Sequence, residues 1–204
     1  MPSVVLPREI RALEIFASRD PSRTNLGFVQ LTIAGSRYTA TATDGYILGQ
    51  QRGTFEEKLP DTTIYLSAES LKATAKIKEL VLELGDAIVL RDLITQAAFP
   101  QPDGPDSYPD HATVLSERST EVAPAPACVG LDSSLLARLA SYAKAIGVSK
   151  GRAGGYPLAI EAQDLAPCIV RIPGPGGDGF VAVVMPVRGD DVPWLVRAKP
   201  TVAE

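Results

Sequence analysis

Apolar and polar positions follow one pattern three times along the chain, beginning near residues 3, 62 and 127. Each copy begins with a short apolar strand, continues as an amphipathic helix, and ends in strands separated by turn residues. Such a pattern predicts one supersecondary unit repeated three times, with little sequence identity between the copies. The predicted fold class is therefore α+β.

The first unit combines a helix with a β-hairpin. Pro7 is well placed at a helix start, and Ala34-Gly35-Ser36 separates two runs of alternating apolar and polar residues, which predicts a hairpin turn. Asp44-Gly45 ends the second run, and the strand pattern then resumes. The predicted elements are strand 4–6, a helix from Pro7 to near Arg19, and strands 28–33, 37–43 and 46–48.

The second unit has a helix opened by Ser67, with an acidic residue in its first turn, and Gly85-Asp86 as a tight turn between two later strands. A loop with several prolines, residues 100–109, closes this unit. Its predicted strands are 62–66, 80–84, 87–91 and 93–99.

The third unit follows a polar, then Pro/Ala-rich stretch at 116–126, which is typical of an extended linker. Asp132 or Ser133 caps a helix that ends at Gly147, and the predicted strands are 127–131, 158–162, 168–172 and 180–187. We therefore expect a domain of two half-units at 1–118, a third half-unit at 119–189, and a tail at 190–204.

Charge is distributed unevenly in this acidic protein, whose formal net charge is −4. The three helical stretches with their immediate exits carry eleven basic and five acidic residues, a net charge of +6, which leaves −10 for the rest. Either these helix faces are merely solvated, or they meet an anionic partner. The basic residues are Arg8, Arg11, Arg19, Arg23, Lys72, Lys76, Lys78, Arg138, Lys144, Lys150 and Arg152.

Residues suited to catalysis or metal binding are few. Cys128 and Cys168 lie 40 residues apart without a CxxC motif, so we expect no metal, cofactor or disulfide framework and interpret both as buried residues. His111 is the only histidine, and it has no nucleophile motif to serve, although a hydrolase remains an alternative. The N-terminus has no leader pattern and no run is long enough to span a bilayer, so we expect a non-enzymatic cytoplasmic protein.

Four segments in order resemble the bacterial DNA sliding clamp, the beta subunit of the replicative polymerase. Val5-Leu6-Pro7 resembles the start of the clamp's middle domain, and residues 38–48, Y-T-A-T-A-T-D-G-Y-I-L, resemble its strand ending in A-T-D-G-x-x-L. Tyr108-Pro109-Asp110 with Val114-Leu115 resembles a [FY]-P-D-x-x-x-V-L-P segment, and residues 183–188, V-V-M-P-V-R, resemble the end of clamp chains. The resemblance covers nearly the whole chain.

The resemblance implies two functional surfaces. Helices would line a ring around duplex DNA with antiparallel sheets outside, and the eleven basic residues would face the phosphates without reading sequence. The best candidates for that lining are Arg8, Arg11, Lys72, Lys76, Arg138 and Lys144. An apolar cleft would bind short linear motifs of DNA polymerases and repair proteins, with a strand junction that merely packs as the alternative. The implied cleft residues are Thr43, Gly45, Tyr46, Leu48, Pro109, Val114, Val184, Met185 and Pro186.

The length of the chain bears on the assembly that the resemblance implies. Full-length clamps have three domains of two units each, whereas this chain has three units and continues past the V-V-M-P-V-R segment. About twelve units in a ring would make a homotetramer, whereas a degenerate fourth unit in the tail would favour a trimer. A clamp loader is a further expected partner. The alternative function is a clamp-fold interaction module that does not encircle DNA.

Overall fold

The computed structural model describes residues 2–85, 87–111, 115, 131–151, 156–161, 167–172 and 179–187. Their fold is α+β, as predicted. The helices are α1 (Arg8–Ala12), α2 (Ala68–Ala73) and α3 (Ser133–Ala145), with short 3-10 helices at Leu13–Phe16 and Thr24–Leu26. The strands are β1 (Ser3–Val5), β2 (Phe28–Thr43), β3 (Ile47–Ser67), β4 (Leu80–Leu84), β5 (Ile88–Asp92), β6 (Ala98–Pro100), β7 (Ala159–Glu161), β8 (Cys168–Arg171) and β9 (Phe180–Val184).

Two antiparallel sheets form the molecule. One has the strand order β1-β4-β5-β6, and the other has the order β2-β3-β9-β8-β7. The first unit contributes β1 to the sheet of the second unit, and the third unit joins the first because β9 pairs with β3. The helices pack on the inner faces of the sheets, where α1 contacts both α2 and α3. None of the helices in this part of the chain is long and apolar enough to cross a membrane.

The first helix is shorter than predicted. After Ala12 it tightens into a 3-10 turn and ends at Phe16, because Ala17 is extended (φ −70°, ψ 154°), so the prediction of a helix to Arg19 was wrong. The tighter turn places residues three apart on the same face. Leu13 and Phe16 are both fully buried on that face, and burial of these two side chains overrides the α-helical spacing.

The predicted hairpin at 34–36 lies inside β2, which folds back on itself. The Tyr108 hydroxyl lies 3.1 Å from the carbonyl oxygen of Phe28 and 3.2 Å from that of Thr41. Thirteen extended residues would hold those two carbonyls roughly 40 Å apart. The chain therefore reverses between them, at Gly35 (φ +62°), where the register of β2 against β3 also shifts.

The second unit departs from prediction at its last strand. The Ser67 hydroxyl caps α2 as expected, accepting the Ser70 N–H at 3.4 Å. However, the predicted strand 93–99 is a strand only at Ala98–Pro100, because residues 93–97 form a turn. In that turn the Asp92 carboxylate accepts the Ile94 N–H and the Thr95 hydroxyl, at 2.9 and 2.6 Å.

The third unit packs directly on the first through an aromatic cluster. Tyr142 of α3 stacks on Phe180 of β9, with ring centroids 4.3 Å apart, and lies 5.2 Å from the ring of Phe16. Asp132 caps α3 by accepting the Ser134 N–H, and Gly147 (φ +81°) ends it, as predicted. The linker 116–126, the strand 127–131 apart from Leu131, and the tail 190–204 lie outside the described residues, so the domain boundaries stay predictions.

Candidate peptide cleft and basic helical face

Two of the segments singled out in the sequence lie side by side, although about 140 residues separate them. In the pairing of β3 with β9, Ile47 is opposite Val184 and Leu48 is opposite Val183. The Met185 N–H then donates to the Tyr46 carbonyl oxygen at 3.0 Å, which extends the ladder beyond the last strand residue. The turn of the A-T-D-G segment and the V-M-P segment thus share one end of the sheet.

The A-T-D-G residues build the turn that presents Tyr46. The Asp44 carboxylate accepts the N–H groups of Tyr46 and Ile47, at 2.9 and 3.0 Å. The Thr43 hydroxyl accepts the Gly45 N–H and donates to the Ile47 carbonyl, at 3.1 and 2.9 Å. Gly45 has a φ of +92°, a region that residues with a Cβ rarely adopt. This turn is therefore rigid, and its tip is the exposed tyrosine.

Two arginines from other segments of the chain support this turn. Arg138 of α3 donates to the Asp44 carboxylate and, at 2.8 Å, to the carbonyl oxygen of Ile15. Arg23 donates to the Asp44 carbonyl at 3.0 Å, and its guanidinium lies over the Tyr46 ring, 5.5 Å from the centroid. Sequence reasoning assigned both arginines to DNA and missed this role, because 94 residues separate Arg138 from its carboxylate.

Alternation along β3 and β9 divides the remaining cleft residues between two faces. Val184 is fully buried in the main core and supports the cleft from beneath, whereas Thr43, also buried, lies directly opposite Leu48 in the strand pairing and so shares the face of Leu48. Leu48 points to the opposite, outer face, where it packs with Ile169 and Val183 in a small apolar cluster. We call this cluster, with the partly buried Leu115 and Val181 against it, the outer patch.

Two large apolar side chains stand exposed beside the outer patch. Tyr46 is 56% exposed and Met185 is 45% exposed. Pro186 is half-buried and Gly45 is exposed in the same neighbourhood. These side chains offer an apolar surface without a covering element among the described residues, which is the usual form of a peptide-docking site.

The proline-rich loop crosses the outer face of the sheet next to β2. Tyr108 packs on Tyr65 with ring centroids 5.6 Å apart, and burial raises the pKa of Tyr108. His111 stands edge-on to Tyr108, and burial lowers the pKa of His111. Pro109 is exposed on this loop, whereas Val114 lies outside the described residues. Leu115, which follows this loop, packs against the outer patch, so this part of the chain borders the patch on one side.

The predicted basic face gathers around one acidic residue. Glu14 is half-buried, and burial raises the pKa of its carboxyl, while Arg19, Lys72 and Arg138 act to lower it. These three cations come from the exit of α1, from α2 and from α3 respectively. Positive side chains of all three units therefore converge on the helical side of the molecule.

The other predicted DNA-contacting residues differ in how available they are. Arg11 is half-buried and donates to the Ile77 carbonyl oxygen at 2.6 Å, so it ties α1 to the exit of α2. The Arg8 side chain is 56% exposed, lies 3.5 Å from Glu9, and approaches the end of α3 at Gly147. Arg152 lies outside the described residues. Besides Arg8, the exposed residues of the predicted set are Arg19, Lys72, Lys76, Lys78, Lys144 and Lys150.

This architecture is the fold of bacterial DNA sliding clamps. The DNA polymerase sliding clamp of Bacillus subtilis matches with a TM-score of 0.60 and 12% identity over 92% of this chain and 64% of that chain. The DNA polymerase III beta chain of Streptococcus pneumoniae matches with a TM-score of 0.58 and 14% identity over 92% of this chain and 65% of that chain. The DNA polymerase III beta subunit of Thermotoga maritima matches with a TM-score of 0.59 and 13% identity over 91% of this chain and 65% of that chain.

The resemblance inferred from the sequence motifs is thereby confirmed at the level of fold, in a shortened form. This chain spans slightly less than two thirds of the length of these solved structures. No protein-family model and no curated protein matches the sequence.

Proposed function

We propose that this chain is a docking protein of the sliding-clamp fold, which binds short linear peptides of DNA polymerases or repair proteins without catalysing a reaction. The supporting observation is the junction of β3 with β9, which brings Tyr46 beside Met185 within one chain. Exposed apolar residues on a rigid turn suit peptide anchors, and the flexible thioether of Met185 adapts to different ligands. A cytoplasmic location fits such partners.

The cleft needs no second subunit. The turn, the outer patch and the proline-rich loop all belong to one chain, and an intramolecular strand pairing holds them together. A monomer is therefore expected to bind peptide with the same affinity as any oligomer.

Peptides tiled along DNA polymerases and repair proteins provide the test. We expect Met185→Ala and Tyr46→Ala each to weaken binding about tenfold, the loss expected for one well-packed apolar anchor. Both side chains are about half exposed, so the variants are expected to stay folded. Ile94→Ala, which removes a 69% exposed side chain in the turn between β5 and β6, is the matched control. Equal binding by all four proteins would exclude the cleft.

A second proposed function is a sliding clamp that encircles duplex DNA as a homo-oligomeric ring, opened by a clamp loader. Exposed cations on all three units support it, since phosphate contacts that do not read sequence use accessible positive charges: Arg8 and Arg19 in the first unit, Lys72 in the second and Lys144 in the third. Among the described strands, β1, β2, β6 and β7 lie at the ends of the two sheet orders, and edge strands of this kind suit pairing between subunits. A tetramer is the favoured state, and a trimer is the alternative.

Retention on circular DNA distinguishes the ring from the docking module that does not encircle DNA. We expect Lys72→Glu with Lys76→Glu to abolish salt-sensitive retention, whereas Lys58→Glu, an exposed site on β3, leaves it unchanged. Linearising the circle should release the wild-type protein. A monomeric mass in solution together with no difference between circular and linear DNA would leave only the docking function.

A further inference from the structure

Three arginines lie on the five-stranded sheet that also carries the outer patch. Arg37, Arg52 and Arg171 are all exposed, on β2, β3 and β8, although the chain as a whole is acidic. Side chains at alternate positions of a strand share a face. Arg52 lies four residues from Leu48, and Arg171 lies two from Ile169, so both arginines share the face of the outer patch.

Arg52 and Arg171 line one groove that continues from the outer patch. This groove, of about 270 Å³, has Leu115, Ile169 and Val181 as its apolar wall. These three residues also belong to the outer patch. The apolar cleft and the arginine-lined groove are therefore one continuous surface.

A second groove begins on the other side of Arg52. Its volume is about 340 Å³, and Thr32, Thr39 and Arg37 line it together with Arg52. Thr39 lies directly opposite Arg52 in the strand pairing, which places the groove across neighbouring strands. The Arg52 Nε donates to the Gln50 side-chain oxygen at 2.9 Å, which orients the guanidinium on this face. The two grooves thus share one oriented cation.

The distances suit a single extended peptide. Arg52 lies six strand positions beyond Tyr46, a span of roughly 20 Å. An extended peptide covers that span in about six residues. A ligand anchored at Tyr46 and Met185 therefore reaches the arginines with the residues that flank its anchor.

We propose that this arginine-lined extension, Arg37, Arg52 and Arg171, binds acidic residues that flank the apolar anchor of the docked peptide. The inference rests on the proposed docking function and adds the chemical class of its partner. Guanidinium groups bind carboxylates through paired, charge-assisted hydrogen bonds, and the apolar wall lowers the local dielectric, which strengthens them. Partners with an acidic segment next to an apolar motif are selected over neutral ones.

The test uses a fluorescein-labelled polymerase or repair-protein segment whose binding depends on Met185, extended at either end by Glu-Glu or by Gln-Gln. We expect the Glu-Glu form at one end to bind about tenfold more tightly at low salt, and this preference to fall as salt rises. Arg52→Gln with Arg171→Gln should remove the preference without changing the affinity for the Gln-Gln form. Lys58→Gln, the matched control on β3, should retain it.

Each other result overturns the inference. Equal binding of the two extensions, or an equal loss for both in the arginine variant, means that these arginines do not recognise acid. Displacement of the acidic peptide by single-stranded DNA at comparable concentration would assign the groove to phosphate instead. If Met185-dependent binding persists without a charge preference, only this inference fails, whereas the absence of any Met185-dependent peptide removes the docking function as well.

Discussion

The outer cleft and the inner helical face of this molecule are built by different means. At the cleft, the residues predicted for a single function meet through backbone pairing of β3 with β9 and through the Asp44 turn. On the helical face, the predicted cations divide between exposed lysines and arginines such as Arg11 and Arg138, which donate to carbonyl groups inside the molecule. A basic residue on a helix is therefore weak grounds for a DNA contact until its partners are known.

Both faces depend on the aromatic cluster that joins the third unit to the first. Tyr142→Ala removes a fully buried ring packed on Phe16 and Phe180, and we expect it to lower the free energy of unfolding by about 3–5 kcal/mol. Peptide binding and DNA retention should be lost together. Chemical denaturation provides the measurement.

Tyr142→Phe is the matched control, because it retains the ring and removes only the hydroxyl that lies 3.1 Å from the Gln51 side-chain oxygen. Its expected cost is about 1 kcal/mol. If Tyr142→Ala lost only one of the two activities, the faces would fold independently, contrary to the shared core.

A second variant separates the faces. Arg138→Gln removes the donor to the Asp44 carboxylate and to the Ile15 carbonyl, and both groups are partly buried. We expect a loss of stability of about 1–3 kcal/mol and weaker peptide binding, since the Tyr46 turn loses its support. Lys144→Gln removes an exposed positive charge from the same helix and should leave both properties unchanged. Peptide affinity equal to wild type in Arg138→Gln would show that the turn holds without the arginine.

Glu14→Gln, on the helical face, is expected to stabilise the protein, whereas the substitutions at Tyr142 and Arg138 destabilise it. Burial raises the pKa of Glu14 above its ordinary value, so the folded state holds this proton more tightly than the unfolded state. The contribution of Glu14 to the free energy of unfolding is therefore fully present below its ordinary pKa near 4.5, and this contribution is lost as the pH rises through the raised pKa.

At pH 7 we expect Glu14→Gln to gain stability of less than about 1 kcal/mol, reduced by solvent screening. We also expect it to strengthen salt-sensitive DNA retention, because a negative charge among cations is removed. Thermal unfolding between pH 4 and pH 8 measures the first effect. A variant less stable than wild type at pH 7 would show that Glu14 stabilises its neighbours when ionised.

Sequence reasoning identified the repeat, the α+β class and the helix caps, because these depend on local spacing and on single residues such as Ser67 and Gly147. It failed at the end of α1 and at residues 93–97, where burial of Phe16 and the Asp92 side chain determine the backbone. The contact of Arg138 with the Asp44 turn could not be predicted from the sequence, because it joins two units that are distant along the chain.

The smallest expected effect concerns His111, on the loop that borders the cleft. Burial lowers the pKa of His111, and Arg52 acts in the same direction, whereas Asp110 and the Pro109 backbone carbonyl, which accepts a hydrogen bond from the imidazole, oppose it. The unfolded state therefore binds the proton of His111 more readily than the folded state. The contribution of His111 to the free energy of unfolding is fully present above its ordinary pKa of 6.5 and is lost as the pH falls below that value. His111→Gln should remove this acid sensitivity between pH 7 and pH 5, an effect of only a few tenths of a kcal/mol because the ring is partly exposed to solvent. An unfolding profile of His111→Gln with the wild-type dependence on pH would assign the acid sensitivity to another group, and loss of a measurable hydrolytic activity in this variant would favour the hydrolase instead.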